Sequence, residues 1–288
     1  MAGRPASHSQ ANTLPGLSDF FGLNYLQPTV TYMGDLSGKV AIVLGASTTG
    51  GMGEAIARRL KAEGATVAVS GLGAEPLHRL AQELGGSAFE ADITQETQLA
   101  GLVNHTMTTH GRLDIAVNVA GVAPRVPFKE FTEEHLMFMA RMHFIGPALF
   151  IKNVAEAIVD DGAIVNISSL SAYDPLSGIV GYAASKRAGD RVVQGAALEY
   201  RSKRLRINGI IPSLVPTSLS RQGMRNFGAD PEAFERSFVE LTPLGRLTRP
   251  EDIAAFAYML VRDEFFETGQ IFNYSGGNAL LGHPRFLA

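Results

Sequence analysis

The sequence predicts an α/β protein: one doubly wound parallel sheet with helices on both faces. Three observations carry this. Short β-rich runs alternate with helix-length segments from Lys39 onward. The first run leads into a glycine-dense turn that opens a helix. A chain of 288 residues, 45% hydrophobic, is long enough to bury one large core. Parallel strands need crossover connections, and the crossover helices cover both faces of the sheet.

The elements follow in order. Residues 1–16 are rich in Ser, Pro, Gly and Gln and bury too little apolar area to offset the entropy of ordering. The next stretch carries Phe20, Phe21, Tyr25, Leu26 and Tyr32, a set expected to pack on the body or on a neighbouring subunit. Residues 1–35 are therefore an N-terminal extension and 36–288 a single domain. KVAIVLG is a buried strand, and in GEAIARRLKAEG the spacing of Ala55, Ile56 and Leu60 gives a helix. Further strands are expected at TVAVS, IAVNV, AIVNI, RINGII and QIFNY. Between them lie helix-length segments such as PLHRLAQEL, MARMHFIGPALFIKNVAEAI, AASKRAGDRVVQGAALEYR and EDIAAFAYMLVR. Residues 213–245 break the alternation and read as a loop-rich excursion. It lies beside the carboxyl ends of the strands, where open α/β sheets place substrates.

Composition narrows the function. A net charge of −3 with mixed signs offers no basic patch for nucleic acid or an anionic membrane, so a small-molecule partner is expected. The chain has no cysteine, which excludes disulfides, thiolate metal sites and a cysteine nucleophile, and no metal-ligand set is read. There is no secretory signal core and no apolar run of the roughly 18 residues a membrane span needs, so the expected location is cytoplasmic.

Two local patterns carry chemistry. In GASTTGGMG, Gly45, Gly50, Gly51 and Gly53 let the backbone turn tightly against a pyrophosphate at the helix N-terminus, although a tight turn with no ligand has the same composition. In Tyr182-Ala183-Ala184-Ser185-Lys186, spacing of four puts the phenol and the ammonium on one helix face. A phenol ordinarily titrates near pH 10, and a neighbouring ammonium favours phenolate, moving the group toward the range useful for acid–base catalysis. Ser169, in IVNISSLS, lies thirteen residues upstream just past a buried strand.

Taken together these residues resemble the short-chain dehydrogenase/reductase family, from Lys39 to Gly277, and with it a Rossmann-type sheet. The turn resembles TGxxxGxG, with Leu44 in place of the threonine and five residues instead of three between Gly45 and Gly51-Met52-Gly53. The resemblance implies an NAD(P)(H)-dependent oxidoreductase that interconverts a ketone and a secondary alcohol. Ser169 would hydrogen-bond the substrate oxygen, Tyr182 would pass the proton, and hydride would move between that carbon and nicotinamide. Lys186 would also hold the nicotinamide ribose. Counting back from Gly146 places His143 where relatives carry an asparagine that holds a relay water. His143 either takes over that water or carries protons itself with a near-neutral pKa, or it points into the helix interface as a core residue.

The resemblance extends the cofactor site. Gly45, Ser47, Gly51, Met52 and Gly53 form the turn; Asp92 and Ile93 in EADIT match the adenine site. Asn118, Ala120 and Gly121 match NNAG, with Val119 in place of the second asparagine. Pro212, Val215 and Thr217 match PGxxxT, with Ser213 replacing the glycine, and would meet the nicotinamide carboxamide. The second strand ends in Ser70-Gly71-Leu72-Gly73, without the carboxylate that repels a 2′-phosphate, and Ser70 could donate to such a phosphate; NADP(H) is preferred slightly over NAD(H). Leu219, Met224, Phe227, Phe234 and Phe238 with Arg221 and Arg225 fit a lid over a bulky or apolar substrate, or equally a lid packed on the body. Relatives imply a homo-oligomer, tetramer or dimer, through the helices carrying His143 and Tyr182. A non-redox enzyme on the same fold (isomerase, dehydratase or cyclase) and a non-catalytic dinucleotide-binding protein are the alternatives.

Overall fold

The computed structural model describes residues 36–226 and 230–284. The N-terminal extension read at 1–35 and the lid residue Phe227 lie outside them.

The expected alternation is present. Strand β1 (Val40–Leu44) is followed by α1 (Met52–Ala62), β2 (Thr66–Gly71), α2 (Ala74–Leu84), β3 (Ser87–Glu90), α3 (Glu96–His110) and β4 (Ile115–Asn118). Helix α4 (Glu133–Ala140) continues through a wider, π-type turn at Arg141–Ile145 into α5 (Gly146–Ala157). Then come β5 (Ala163–Ile167), α6 (Val180–Glu199), β6 (Arg206–Pro212), α7 (Ser218–Asn226), α8 (Pro231–Glu240), α9 (Pro250–Val261), β7 (Ile271–Tyr274) and the short α10 (Asn278–Leu281).

The seven strands form one sheet in the order β3-β2-β1-β4-β5-β6-β7, every described pairing parallel. β1, β2, β4, β5 and β6 are buried runs because both faces are covered, while β7 is a half-buried edge strand. Alternate residues serve two cores. Ala41 and Val43 pack with Ile56 and Leu60 of α1, Leu77 of α2 and Ile253 of α9. Ile42 and Leu44 pack with Leu99 and Leu102 of α3, Phe150 of α5 and Val193 of α6.

Two local readings need correction. β3 escapes the search for apolar runs because it is a short edge strand whose residues are half-buried or exposed. The excursion at 213–245 is largely helical, since α7 and α8 fill it. The hydroxyl of Thr217 accepts from Ser220 N at 3.1 Å at the start of α7, and Asp230 caps α8 by accepting from Glu232 N at 3.0 Å.

Candidate active site

The strand register brings the site together. Leu44 pairs with Asn118, Asn118 with Asn166, and Asn166 with Gly209. The carboxyl ends of β1, β4 and β5 therefore finish within one residue of each other, β6 runs two residues further, and the segments after them share one edge of the sheet at the point where strand order reverses.

At the glycine turn, backbone touches backbone. Gly45 has a φ of 96°, and a Cβ there would lie 2.6 Å from Ala120 N. A Cβ on Gly53 would lie 2.2 Å from Gly45 O. Gly45 N and Ala46 N both donate to Ser70 O at 2.8 Å. Gly51 N donates to Thr48 O at 2.9 Å and Gly50 N to Glu54 Oε2 at 2.8 Å, so the lengthened part of the turn closes on itself. No side chain caps α1. Its first-turn N–H groups, at Met52 and Gly53, are left for an anion, and the bare cradle in front of them fits a pyrophosphate.

Other predicted cofactor residues fall into two groups. Half-buried Ser47 lies on the turn, with its hydroxyl 3.0 Å from where a Cβ on Gly71 would sit. Asp92 Oδ1 accepts from Thr94 N at 2.8 Å and Thr94 Oγ1 at 2.9 Å, and Ile93 is buried behind it. Val215 is buried, while Thr217 is half-buried and spends its hydroxyl on α7. Three residues are built into the protein instead of facing the cleft. Ser70, expected to offer its hydroxyl to a phosphate, is 0% exposed because β2 is covered on both faces; its carbonyl holds the turn and its hydroxyl has no partner. Asn118 donates from Nδ2 to Asn166 Oδ1 at 2.7 Å and accepts from Ala120 N at 3.1 Å, so its side chain positions Ala120 and Gly121. Pro212 is buried as the last residue of β6.

Ser169, Tyr182 and Lys186 converge. Ser169 follows β5, starts a 3-10 turn by accepting from Ser171 N at 3.2 Å, and lowers the Tyr182 phenol's pKa from beside it. Lys186 is buried and donates to Ile167 O at 2.7 Å, with Nζ 5.9 Å from the Tyr182 ring centre. Loss of solvent pulls the ammonium down to about 8, opposed by the Asp190 carboxylate. The expected depression of the phenol is not what this arrangement gives. Enclosure pushes Tyr182 up, Ser169 pulls it back, and Asp190 adds to the rise.

His143 sits in the π-type turn, 1% exposed, with its ring edge-on to Tyr182 at 5.0 Å between centres. Ser185 Oγ donates to Tyr182 O at 2.8 Å and lies 3.2 Å from His143 Nδ1. With its one proton spent, the serine must accept from His143, so Nδ1 carries the hydrogen and Nε2 is a lone-pair acceptor. Nε2 is buried without a partner. It and Lys186 Nζ both lie within 3.4 Å of where a Cβ on Gly121 would be. Burial and the Lys186 charge push the imidazole down to about 2. A near-neutral pKa is thereby corrected: the ring stays neutral throughout the working range, and with Nε2 unpaired it is not a satisfied core residue either.

Sequence reasoning missed Ser185 and Asp190. Both lie on α6 at spacings from Tyr182 and Lys186 that bring them to the same side, which was the available signal.

The family model described as enoyl-(acyl carrier protein) reductase matches residues 45–278. The 3beta-hydroxysteroid dehydrogenase 1 of Eggerthella lenta is 32% identical, over 88% of this chain and 97% of its own. A short-chain type dehydrogenase/reductase from Mycobacterium ulcerans superposes with a TM-score of 0.80 at 30% identity, over 88% of this chain and 94% of its own. A 7 alpha-hydroxysteroid dehydrogenase complexed with NADH and 7-oxo glycochenodeoxycholic acid superposes with a TM-score of 0.76 at 30% identity, over 88% and 97%. The chain belongs to the short-chain dehydrogenase/reductase family of oxidoreductases.

Proposed function

We propose that this protein interconverts a ketone and a secondary alcohol with NAD(P)(H), and that Tyr182 passes the proton. The observation that carries the reading is the convergence of Ser169, Tyr182 and Lys186 beside an uncapped helix N-terminus and a glycine cradle. The bound dinucleotide supplies or accepts the hydride. Ser169 and Tyr182 together hold the substrate oxygen, and Tyr182 gives its proton to that oxygen during reduction. Lys186, pinned by Ile167 O, keeps donors for the ribose and for a relay water. His143 Nε2 accepts from that water, taking the role of the absent asparagine as a neutral group.

A preference for NADP(H) over NAD(H) is supported by the missing carboxylate at Gly71. Arg79, beside Ser47 and Thr49, lines a cavity of about 70 Å³ and adds a positive charge, although Glu54 and Glu83 line it too. A bulky apolar ketone suits the lid. The printed activities of the relatives, two of them hydroxysteroid dehydrogenases, lean the same way. Self-association through the helices around the site is supported by Leu136, Met137, Phe138, Phe144 and Ile145, all exposed between α4 and the π-type turn.

The test is titration with NADPH and NADH, then cofactor oxidation against cyclic and acyl ketones, comparing wild type with Tyr182→Phe. Turnover that falls by a factor of about 1,000 in the variant with dinucleotide affinity retained is expected. Binding without turnover on any ketone points to the non-redox enzyme, and absence of binding to the non-catalytic protein.

A further inference from the structure

Helix α6 carries a third polar group in line with Tyr182 and Lys186. Asp190 lies one turn beyond Lys186 on the same side of the helix, so that Tyr182, Lys186 and Asp190 fall at i, i+4 and i+8. It is 2% exposed. A carboxylate is rarely buried so completely without a task that repays its desolvation.

Its contacts lead to the reacting groups. Asp190 Oδ2 accepts from Ser168 Oγ at 2.8 Å, and Ser168 precedes Ser169. Ser168 is itself buried, and its N–H donates to Ile210 O at 2.7 Å, so this residue is fixed from β6 on one side and from α6 on the other. The second oxygen, Oδ1, is buried without a hydrogen-bond partner. Every charged or titratable group facing the carboxyl belongs to the site or its border. Lys186, Arg187 and Tyr182 face it from α6, and Tyr173 faces it from the loop after β5. The Arg187 guanidinium covers the Tyr173 ring at 4.1 Å, and Tyr173 is pushed up to about 12 by loss of solvent and by Asp190. Lys186 in turn faces Asp190 and His143. On the other flank α6 is pressed against the π-type turn, where a Cβ on Gly189 would lie 2.4 Å from His143 O.

We propose that Asp190 is a positioning residue for the proposed reaction: through Ser168 it fixes the loop that presents Ser169, and one helical turn from Lys186 it places a buried counter-charge beside that ammonium. The inference rests on the oxidoreductase reading above. The plain alternative is that Asp190 merely accepts the Ser168 hydrogen bond, a duty that any acceptor performs.

Asp190→Asn separates the two, because the amide oxygen still accepts from Ser168 while the charge is lost. In wild type, ketone reduction with NADPH should fall as pH rises through about 8, where Lys186 loses its proton. In Asp190→Asn the ammonium loses its counter-charge, and this limb should move down by about one pH unit, leaving about a fivefold deficit at pH 8 that grows toward about tenfold above pH 9. The same displacement should show in NADPH affinity, measured by fluorescence titration across pH, because Lys186 would hold the ribose. Ser168→Ala does the reverse. It keeps the carboxylate and breaks the bond, so kcat should fall about tenfold with KM and the position of the limb unmoved. If Asp190→Asn and wild type have superimposable profiles in both readouts, the inference is overturned while the oxidoreductase reading stands. Should Asp190→Asn fail to fold, Ser168→Ala decides: a wild-type kcat overturns the inference. A wild-type chain that binds neither NADPH nor NADH overturns the reading and the inference together.

Discussion

The glycine turn and the segment read as a lid are built on opposite terms. At the turn, the Cβ positions of Gly45 and Gly53 are already taken by backbone atoms at 2.6 Å and 2.2 Å. In the lid, α7 and α8 present mostly half-buried and exposed side chains, and an exposed Arg221 joins α7 to Glu235 on α8 at 2.7 and 2.9 Å. Phe238, 2% exposed, is the lid's buried large apolar group among the described residues. The turn therefore admits almost one sequence solution, while the lid admits many. A change in the turn should be felt by every substrate, and a change in the lid by some.

The largest effect is expected from Gly53→Ala. Its methyl group would have to displace the start of β1's loop or of α1, which costs about 3 kcal/mol by overpacking and moves the N–H groups that face the pyrophosphate. NADPH affinity should fall more than about 100-fold, the equivalent of roughly 2.7 kcal/mol. Fluorescence titration checks this, and an affinity within a factor of about two of wild type would show that the turn is not a cradle.

Next comes Phe238→Ala, which tests the other side of the comparison. The ring packs against Phe234 at 5.0 Å and His283 at 5.5 Å between centres. His283 N donates to Asp174 Oδ2 at 2.6 Å, so the lid, the C-terminal residues and the loop after Ser169 meet here. If Phe238 packs the lid onto the body, truncation should cost about 3 kcal/mol in urea unfolding, with dinucleotide affinity unchanged. If it faces substrate instead, KM for a bulky ketone should rise with little loss of stability.

This contrast also sets what was legible in the sequence. Buried parallel strands are apolar on both faces, so β1, β2, β4, β5 and β6 stand out as short runs; of the two half-exposed edge strands, β7 is still legible through Ile271, Phe272 and Tyr274, whereas β3 is not. Ser169, Tyr182 and Lys186 are spaced by the fold itself, one at a strand end and two at a helical repeat, so their meeting could be read in advance. The lid helices could not be, because Gly, Ser and Pro interrupt the segment and the caps Thr217 and Asp230 were not recognised as starts. The direction of a pKa shift is not local at all. Lys186 next to Tyr182 in sequence argues for a lowered phenol, but burial, a property of the whole fold, wins. Burial likewise takes His143 out of the neutral range.

That burial gives a third expectation. The His143 imidazole is held down at about 2, whereas in the unfolded chain it titrates near 6.5. Below pH 6.5 the unfolded state therefore gains a proton that the folded state refuses, and stability is lost as pH falls, at up to about 1.4 kcal/mol per unit. Between pH 6.5 and 5 the contribution is about 1.6 kcal/mol. His110 and His283 are also lowered by burial and add to the acid loss, but they are present in both proteins of the comparison. His143→Asn should flatten the acid side of the stability curve relative to wild type while leaving no new inflection in the pH–rate profile between 5.5 and 7.5. An inflection near 6.5 that vanishes with the mutation would show a proton-carrying histidine.

The smallest effect is expected at the hinge of the lid. Arg221 and Glu235 form a two-toothed pair, but the guanidinium is exposed to water, which screens the attraction. Arg221→Ala should shift the unfolding midpoint by no more than about 2 °C. Its influence should appear elsewhere, because the pair fixes α7 relative to α8 in the segment read as a lid. KM for a bulky cyclic ketone should change by a factor of about two to three, with KM for a small acyclic ketone and the NADPH affinity unmoved. Equal changes for both ketones would mean that the pair acts on the site as a whole, and the lid would then share the all-or-none character of the glycine turn.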